Sequence, residues 1–259
     1  MPTALITGAS SGIGYELAKL FARDKHDLVL VARNGPKLTE FGQQLNRDFA
    51  ISVRSVAMDL SLPESPKRLF DELAGASIAI DILVNNAAFG KFGDFADLPL
   101  EESLDQIQLN ITALTHLTKL FLGPMLARRS GKILNVASTA AFQPGPLMTV
   151  YYATKAYVLS FSEGLANELR GTGVSVTCLC PGPTLTSFQQ RSGVEKSRLF
   201  QQFGPMSAAT VALDGYRALM KGKPVKISGA KNWLAAESVR FAPRRVVTAI
   251  SRWVTEPPD

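Results

Sequence analysis

Tyr151 and Lys155 stand four residues apart, and Ser138 lies thirteen residues before the tyrosine. At a spacing of four, two side chains share one face of a helix. A lysine ammonium beside a phenol stabilises the phenolate and lowers the phenol pKa. Free tyrosine titrates near ~10, and tuning it towards neutrality takes roughly 3–4 kcal/mol. A phenol tuned in this way exchanges a proton with an alcohol or carbonyl oxygen. Tyr152 is adjacent but out of register with Lys155 and is given no catalytic role. Such a pair is more often structural than catalytic, so the elements that position it decide the reading.

Those elements alternate. Short apolar runs at 4–7, 27–32, 52–57, 82–84, 132–136 and 174–179 read as strands. Helical patterns lie near 12–23, 35–48, 64–74, 102–129 and 152–170, with a further helix near 207–221 and a last strand at 225–228. Strand–helix alternation of this kind implies an α/β fold, a parallel sheet with helices on both faces. The run Leu28-Val29-Leu30-Val31-Ala32 is continuously apolar, as a strand buried on both faces requires. No linker or repeat divides the 259 residues, so residues 1–259 are read as one domain.

The turn Thr7-Gly8-Ala9-Ser10-Ser11-Gly12-Ile13-Gly14 joins the first strand to the first helix. Glycines there permit a tight turn and the close approach of a pyrophosphate. The free N–H groups and dipole of the helix then favour the anion. The second strand ends in Arg33 and not in the acidic residue that accepts the ribose hydroxyls of NAD. A guanidinium at that point pairs with the 2′-phosphate of NADP, so NADP(H) is the expected cofactor. Asp59, after the third strand, is placed to bond the adenine amino group or to cap a turn. Asn85-Asn86-Ala87-Ala88 follows the fourth strand, at the sheet edge where ligands of open parallel sheets bind.

Composition narrows the class. With 46% hydrophobic and 19% charged residues, the chain is an ordinary globular one. Its net charge of +6 favours acidic partners, but the basic residues are scattered and form no nucleic-acid-binding motif. Cys178 and Cys180 exclude a disulfide framework and fit a reducing cytosol, as small core residues of one strand. The N-terminus carries no basic leader and no stretch reaches the ~18–20 apolar residues of a membrane span. A cytoplasmic protein is expected, and no metal site is assigned.

Residues 7–14, Asp59, Asn85, Asn86, Ala87, Asn110, Ser138, Tyr151, Lys155, Pro181, Gly182 and Thr186 occur in an order and spacing that resemble the short-chain dehydrogenase/reductase family. The resemblance spans about residues 3–187. It implies a single Rossmann-like, doubly wound domain with a seven-stranded parallel sheet. It also implies Tyr151 as acid/base, with Lys155 holding the nicotinamide ribose and depressing the tyrosine pKa. Ser138 would orient the substrate carbonyl, and Asn110 would hold a water that joins Lys155 to a proton relay. The cofactor set carried over is Gly8, Ser10, Ser11, Gly12, Ile13, Gly14, Arg33, Asp59, Leu60, Asn86, Ala87, Ala88, Tyr151, Lys155, Pro181, Gly182, Thr184 and Thr186. The family places glycine where Ala88 stands; at a positive φ, alanine there costs about 1 kcal/mol. A homodimer or homotetramer is the assembly the resemblance implies.

The expected reaction is reduction of a ketone, aldehyde or 3-oxoacyl carbonyl by NADPH, with Tyr151 as proton donor. NADP-linked alcohol oxidation and a non-catalytic NADPH sensor are the alternatives. The segment 185–206 carries Phe188, Leu199, Phe200 and Phe203 among polar residues and reads as a lid with an apolar underside. Phe89, Phe92, Phe142, Leu147 and Met148 are expected at the same edge. An apolar carbonyl substrate is therefore expected, contacting Ser138, Phe89, Phe142 and Phe188. Within the C-terminal extension, 229–259, Val246, Val247, Ile250, Trp253 and Val254 share one helical face. That helix is read as docked on its own domain, with an anionic lipid surface or a second subunit as alternatives.

Overall fold

The computed structural model of the chain describes residues 1–202 and 204–258. The elements run β1 (Thr3–Thr7), α1 (Gly12–Arg23), β2 (Asp27–Ala32), α2 (Gly35–Phe49), β3 (Val53–Ala57), α3 (Ser65–Gly75) and β4 (Ile82–Asn85). They continue with α4 (Leu100–Ile107), α5 (Leu114–Ala127), β5 (Gly131–Val136), α6 (Thr149–Glu168) and β6 (Val174–Cys180). The last part holds β7 (Thr184–Leu185), α7 (Phe188–Ser192), α8 (Arg198–Gln202), β8 (Met206–Ser207), α9 (Ala208–Met220), β9 (Val225–Ile227), α10 (Ala230–Ser238) and α11 (Arg244–Thr255). Seven strands form one sheet in the order β3-β2-β1-β4-β5-β6-β9, and every pairing in it is parallel. This is the Rossmann-like α/β architecture that the alternation of elements implies.

Strand residues divide between two apolar layers by their alternation. Ile6, Leu28 and Leu30 face Leu17 and Phe21 of α1, Leu38 of α2 and Leu219 of α9. Leu5, Val29 and Val31 point the other way, towards Leu69 and Leu73 of α3 and Leu117 and Phe121 of α5. Both faces of the sheet are thus sealed, and the two ends of the strands remain for binding. The strand order reverses beside β1, between β1 and β4, which opens the crevice used by ligands of this architecture.

The long helix expected over 102–129 is interrupted. α4 passes through a π-helical turn, Gln108–Ala113, before α5 begins. Such a turn changes the bonding offset to five residues and re-aims the side chains it carries, and Asn110 lies in it. No helix among the described residues is long and apolar enough to cross a membrane.

A buried polar ladder fixes α5 and α6 to the sheet. Asn85 Nδ2 donates to Thr118 Oγ1 at 3.0 Å and to Asn135 Oδ1 at 2.9 Å. Asn135 Nδ2 donates to Ser162 Oγ at 3.0 Å, and Asn135 is 0% exposed. Asn135→Ala strands partners on both sides and should lower stability by about 2–3 kcal/mol, read from urea unfolding midpoints. An unchanged midpoint would show that the ladder carries no net stability.

Candidate active site

The C-terminal ends of the strands open into one cavity of about 1260 Å³. Gly8, Ser10, Ser11, Gly12 and Ile13 of the glycine turn line it, as do Arg33, Asp59, Leu60, Asn86, Ala87 and Ala88. So do Ser138, Tyr151, Lys155, Pro181, Gly182, Thr184 and Thr186, with Phe89 and Phe188. Three expected site residues do not line it: Gly14, Asn110 and Phe142.

The glycine turn is shaped by its neighbours. Gly8 and Gly12 have φ of 66° and 59°, a region open to glycine and strained for other residues. A Cβ on Gly14 would lie 2.5 Å from Asn86 Nδ2 and 2.6 Å from the Gly8 carbonyl, so this glycine serves close packing rather than contact with a ligand. The Asn86 amide donates to the Thr7 carbonyl at 2.8 Å. Thr7 Oγ1 in turn accepts from the backbone of Asn86 and Ala87 at 2.9 and 3.0 Å and donates to Val84 O at 3.2 Å. Thr7 and Asn86 therefore tie the ends of β1 and β4 together. The first turn of α1 has no acidic residue, and Ser11 makes no side-chain cap there. Its N–H groups face the cavity end of the turn, which suits a pyrophosphate.

Asp59 Oδ1 accepts from the backbone and hydroxyl of Ser61 at 2.9 and 2.7 Å. That is the turn arrangement, and the second oxygen lies 3.9 Å from Arg33 Nη1. The Arg33 side chain is 68% exposed. Arg191 lines the same cavity, and burial, with the nearby Arg33 charge, lowers its pKa.

Tyr151 and Lys155 lie on α6 with Ser138 opposite them. Burial pushes the Tyr151 phenol well above its ordinary value, and the Ser138 hydroxyl beside it acts in the opposite direction. This corrects the expectation of a depressed phenol. The Lys155 ammonium donates to the Val136 carbonyl at 2.8 Å and sits 5.7 Å from the centre of the Tyr151 ring. In this geometry the cost of burying a phenolate exceeds what that ammonium returns. Lys155 is itself only 3% exposed. Burial brings it down to about 8, against an opposing influence of Cys178 and Cys180.

Asn110 does not reach the cavity. Its amide donates to Phe89 O at 2.8 Å and to Thr154 Oγ1 at 3.0 Å, and its Oδ1 accepts from Phe89 N at 3.1 Å. Its side chain braces the loop after β4 against α6. Both N–H groups of the amide are thereby engaged within the protein. Ala88 is absent from the residues with positive φ, so the strain envisaged for alanine there does not arise. Phe142 packs with Leu159, Ile227 and Ala236 beneath α10 rather than on the substrate side. The 3-10 turn Thr139–Phe142, capped by Ser138, directs it there.

Part of the segment 185–206 borders the cavity. The Phe188 ring lies 5.2 Å from that of Tyr151, and Leu199 and Phe200 line the cavity. Phe92 packs beside the lid with Val194. Phe203, expected in the same segment, lies outside the described residues. The sequence reading missed several contributors. Thr7 opens the glycine motif without a bonding role assigned to it, and Thr154 is a plain threonine with no motif to mark its bonds. A Cβ on Gly90 would come within 2.8 Å of the Tyr151 ring, so glycine lets the loop close against it. Ala236 of α10 and Val247, Ile250, Ser251 and Trp253 of α11 form one wall of the cavity. Helical periodicity in the tail signalled the helix but not the wall.

The family model described as short chain dehydrogenase matches residues 2–197. A very-long-chain 3-oxoacyl-CoA reductase of Danio rerio is 34% identical over 184 residues, covering 69% of this chain and 56% of its own length. A short-chain dehydrogenase from Sphingobium yanoikuyae, solved with NADPH, is 32% identical with a TM-score of 0.82 and covers 93% of this chain and 94% of its own. A bulky-bulky ketone specific alcohol dehydrogenase from Comamonas testosteroni is 30% identical with a TM-score of 0.79, covering 93% and 92%.

Lys155 also sets a pH dependence. Its folded pKa of about 8 is below the ordinary 10.5, so between these values the unfolded chain binds a proton that the folded chain lacks. Stability contributed by this group rises with pH across that window, and the burial cost is full below it. Wild type minus Lys155→Met, compared by urea unfolding, should gain on the order of 3 kcal/mol between pH about 8 and 10.5. A flat difference would contradict the buried, down-shifted lysine.

Proposed function

This chain belongs to the short chain dehydrogenase family and is an oxidoreductase of alcohol and carbonyl groups; from that premise we propose an NADPH-dependent carbonyl reductase with Tyr151 as its proton donor. The observation that carries the reading is the convergence of Ser138, Tyr151 and Lys155 on one cavity, with the Lys155 ammonium 5.7 Å from the centre of the Tyr151 ring. Tyr151 lines the cavity beside the Ser138 hydroxyl, and burial pushes its phenol up. A protonated phenol is ready to give a proton to a carbonyl oxygen.

The residues fit a dinucleotide. The glycine turn at the start of α1 lines the cavity and suits a pyrophosphate, and the exposed Arg33, lining the same cavity, offers a guanidinium to a 2′-phosphate. A bound nicotinamide dinucleotide supplies the hydride. Tyr151 donates its proton to the substrate oxygen, and the Ser138 hydroxyl gives a second hydrogen bond where negative charge develops. Lys155 holds a cation behind the phenol and stabilises the phenolate left after transfer, which solvent then reprotonates. Asn110 and Thr154 position α6 and the Phe89 loop.

Met148, Leu199, Phe200, Val247 and Trp253 line the cavity and favour a bulky apolar carbonyl. The names of relatives that act on a bulky ketone or a 3-oxoacyl thioester support that class. Assembly as a homodimer or homotetramer belongs to the same proposal.

A panel of ketones, aldehydes and 3-oxoacyl thioesters, followed by loss of NADPH absorbance, tests the reading. Turnover of bulky apolar members with NADPH is expected. Tight NADPH binding with no turnover across the panel would replace the enzyme by a sensor. Arg33→Glu should raise the KM for NADPH about tenfold or more while changing that for NADH little. Equal effects on both cofactors would remove Arg33 from phosphate recognition.

A further inference from the structure

The C-terminal helices wall the cavity and carry an unusual exposed surface that runs on from it. α11 buries Val247, Ser251 and Thr255, an i, i+4, i+8 stripe that docks it on the body. The neighbouring stripe is apolar and open: Val246 is 48% exposed, Ile250 56% and Trp253 50%. Phe241, in the turn before α11, is 89% exposed, and Trp233 and Leu234 of α10 are 54% and 64% exposed. Single exposed apolar residues are ordinary, but a concentration of large ones in one short unit marks an interaction surface.

Charge identifies the partner. Lys231, Arg240, Arg244, Arg245 and Arg252 are all exposed in this unit. Its acids, Glu237 and Glu256, are engaged by Arg240 and Arg252 at 3.4 and 2.8 Å. Among the described residues, Lys231, Arg244 and Arg245 have no ion pair. Arg244 and Arg245 also occupy the first turn of α11, where the helix dipole disfavours cations. An apolar stripe of Trp, Ile and Val edged by arginines is the composition of a helix that lies in a bilayer interface. A second copy would bring the same unpaired cations against one another across a two-fold axis, which disfavours it as the occupant.

We propose that α10, α11 and the turn between them dock on an anionic lipid surface, with the mouth of the cavity facing the bilayer. Ile250 and Trp253 are half exposed and also line the cavity, so the mouth and the apolar stripe are continuous. Arg198 of α8 donates to Trp253 O at 3.1 Å and lies 5.3 Å from the Trp253 ring. The lid is therefore fastened to the docking helix. An apolar carbonyl compound dissolved in the bilayer would reach Tyr151 without crossing water. The docking itself goes beyond the reductase reading and stands without it, because it is read from binding.

The chain supplies its own reporter: its 2 tryptophans, Trp233 and Trp253, both lie in this unit. The full chain should co-sediment at low salt with vesicles of mixed phosphatidylcholine and phosphatidylglycerol, with a blue shift of tryptophan emission. It should not do so with phosphatidylcholine alone. The pair Arg244→Glu and Arg245→Glu should weaken binding about tenfold or more, and Phe241→Ser should weaken it too. Neither Arg244, Arg245 nor Phe241 lines the cavity, so turnover of a water-soluble ketone should persist in these variants. Absence of binding to any vesicle overturns the proposal. So does equal binding to neutral vesicles, or undiminished binding by the double arginine variant. Light scattering that shows a dimer, with both tryptophans shielded from acrylamide and no vesicle binding, would assign the surface to a second copy instead.

Discussion

The buried ammonium of Lys155 is the constraint around which the site is organised. A cation in this position loses hydration, and it has a backbone carbonyl, that of Val136, as a hydrogen-bond partner 2.8 Å away. The bond ties α6 to the end of β5, so helix and sheet have one workable register. Tyr151, Lys155, Val158 and Ser162 then share a face of α6, and the polar ladder from Asn85 through Asn135 reaches the same face at Ser162. Thr154 adds a tie to Asn110, and through it to the Phe89 loop. Moving α6 by one residue would break all of these together. Tyr151 is consequently held by contacts that do not involve its own hydroxyl.

The same burial governs the chemistry. Desolvation acts on both partners and moves them towards neutrality from opposite directions, the phenol up and the ammonium down. A simple pairing argument considers only the attraction between charges and predicts a depressed phenol. In a site this enclosed, removal from water is the larger influence, and the Ser138 hydroxyl is the main counterweight for Tyr151.

Much of the fold was legible because the sheet is buried on both faces. Runs such as Leu28–Val31 have no alternative reading beside a helix as amphipathic as α1, and the glycine turn between strand and helix fixes their order. The candidate site was legible where a residue type is chemically costly to replace: Gly8 and Gly12 at positive φ, Lys155 in the interior, Ser138 facing Tyr151. It was opaque where function arises from packing. The π-helical turn that re-aims Asn110 has no composition of its own. Phe142 and Phe188 are the same residue type near the same sheet edge, yet Phe142 ends the 3-10 turn after Ser138 and packs into the core, while Phe188 opens α7 beside Tyr151. The wall built by α10 and α11 depends on where the chain returns after β9, which periodicity does not encode.

The most direct test of the account is the proton. Single-turnover NADPH oxidation should be compared in wild type and Tyr151→Phe with a bulky apolar ketone, with NADPH binding measured alongside by fluorescence. The account predicts a rate lower by about a thousandfold or more, with cofactor affinity unchanged. A rate within a fewfold of wild type, at equal NADPH occupancy, would contradict Tyr151 as the proton donor.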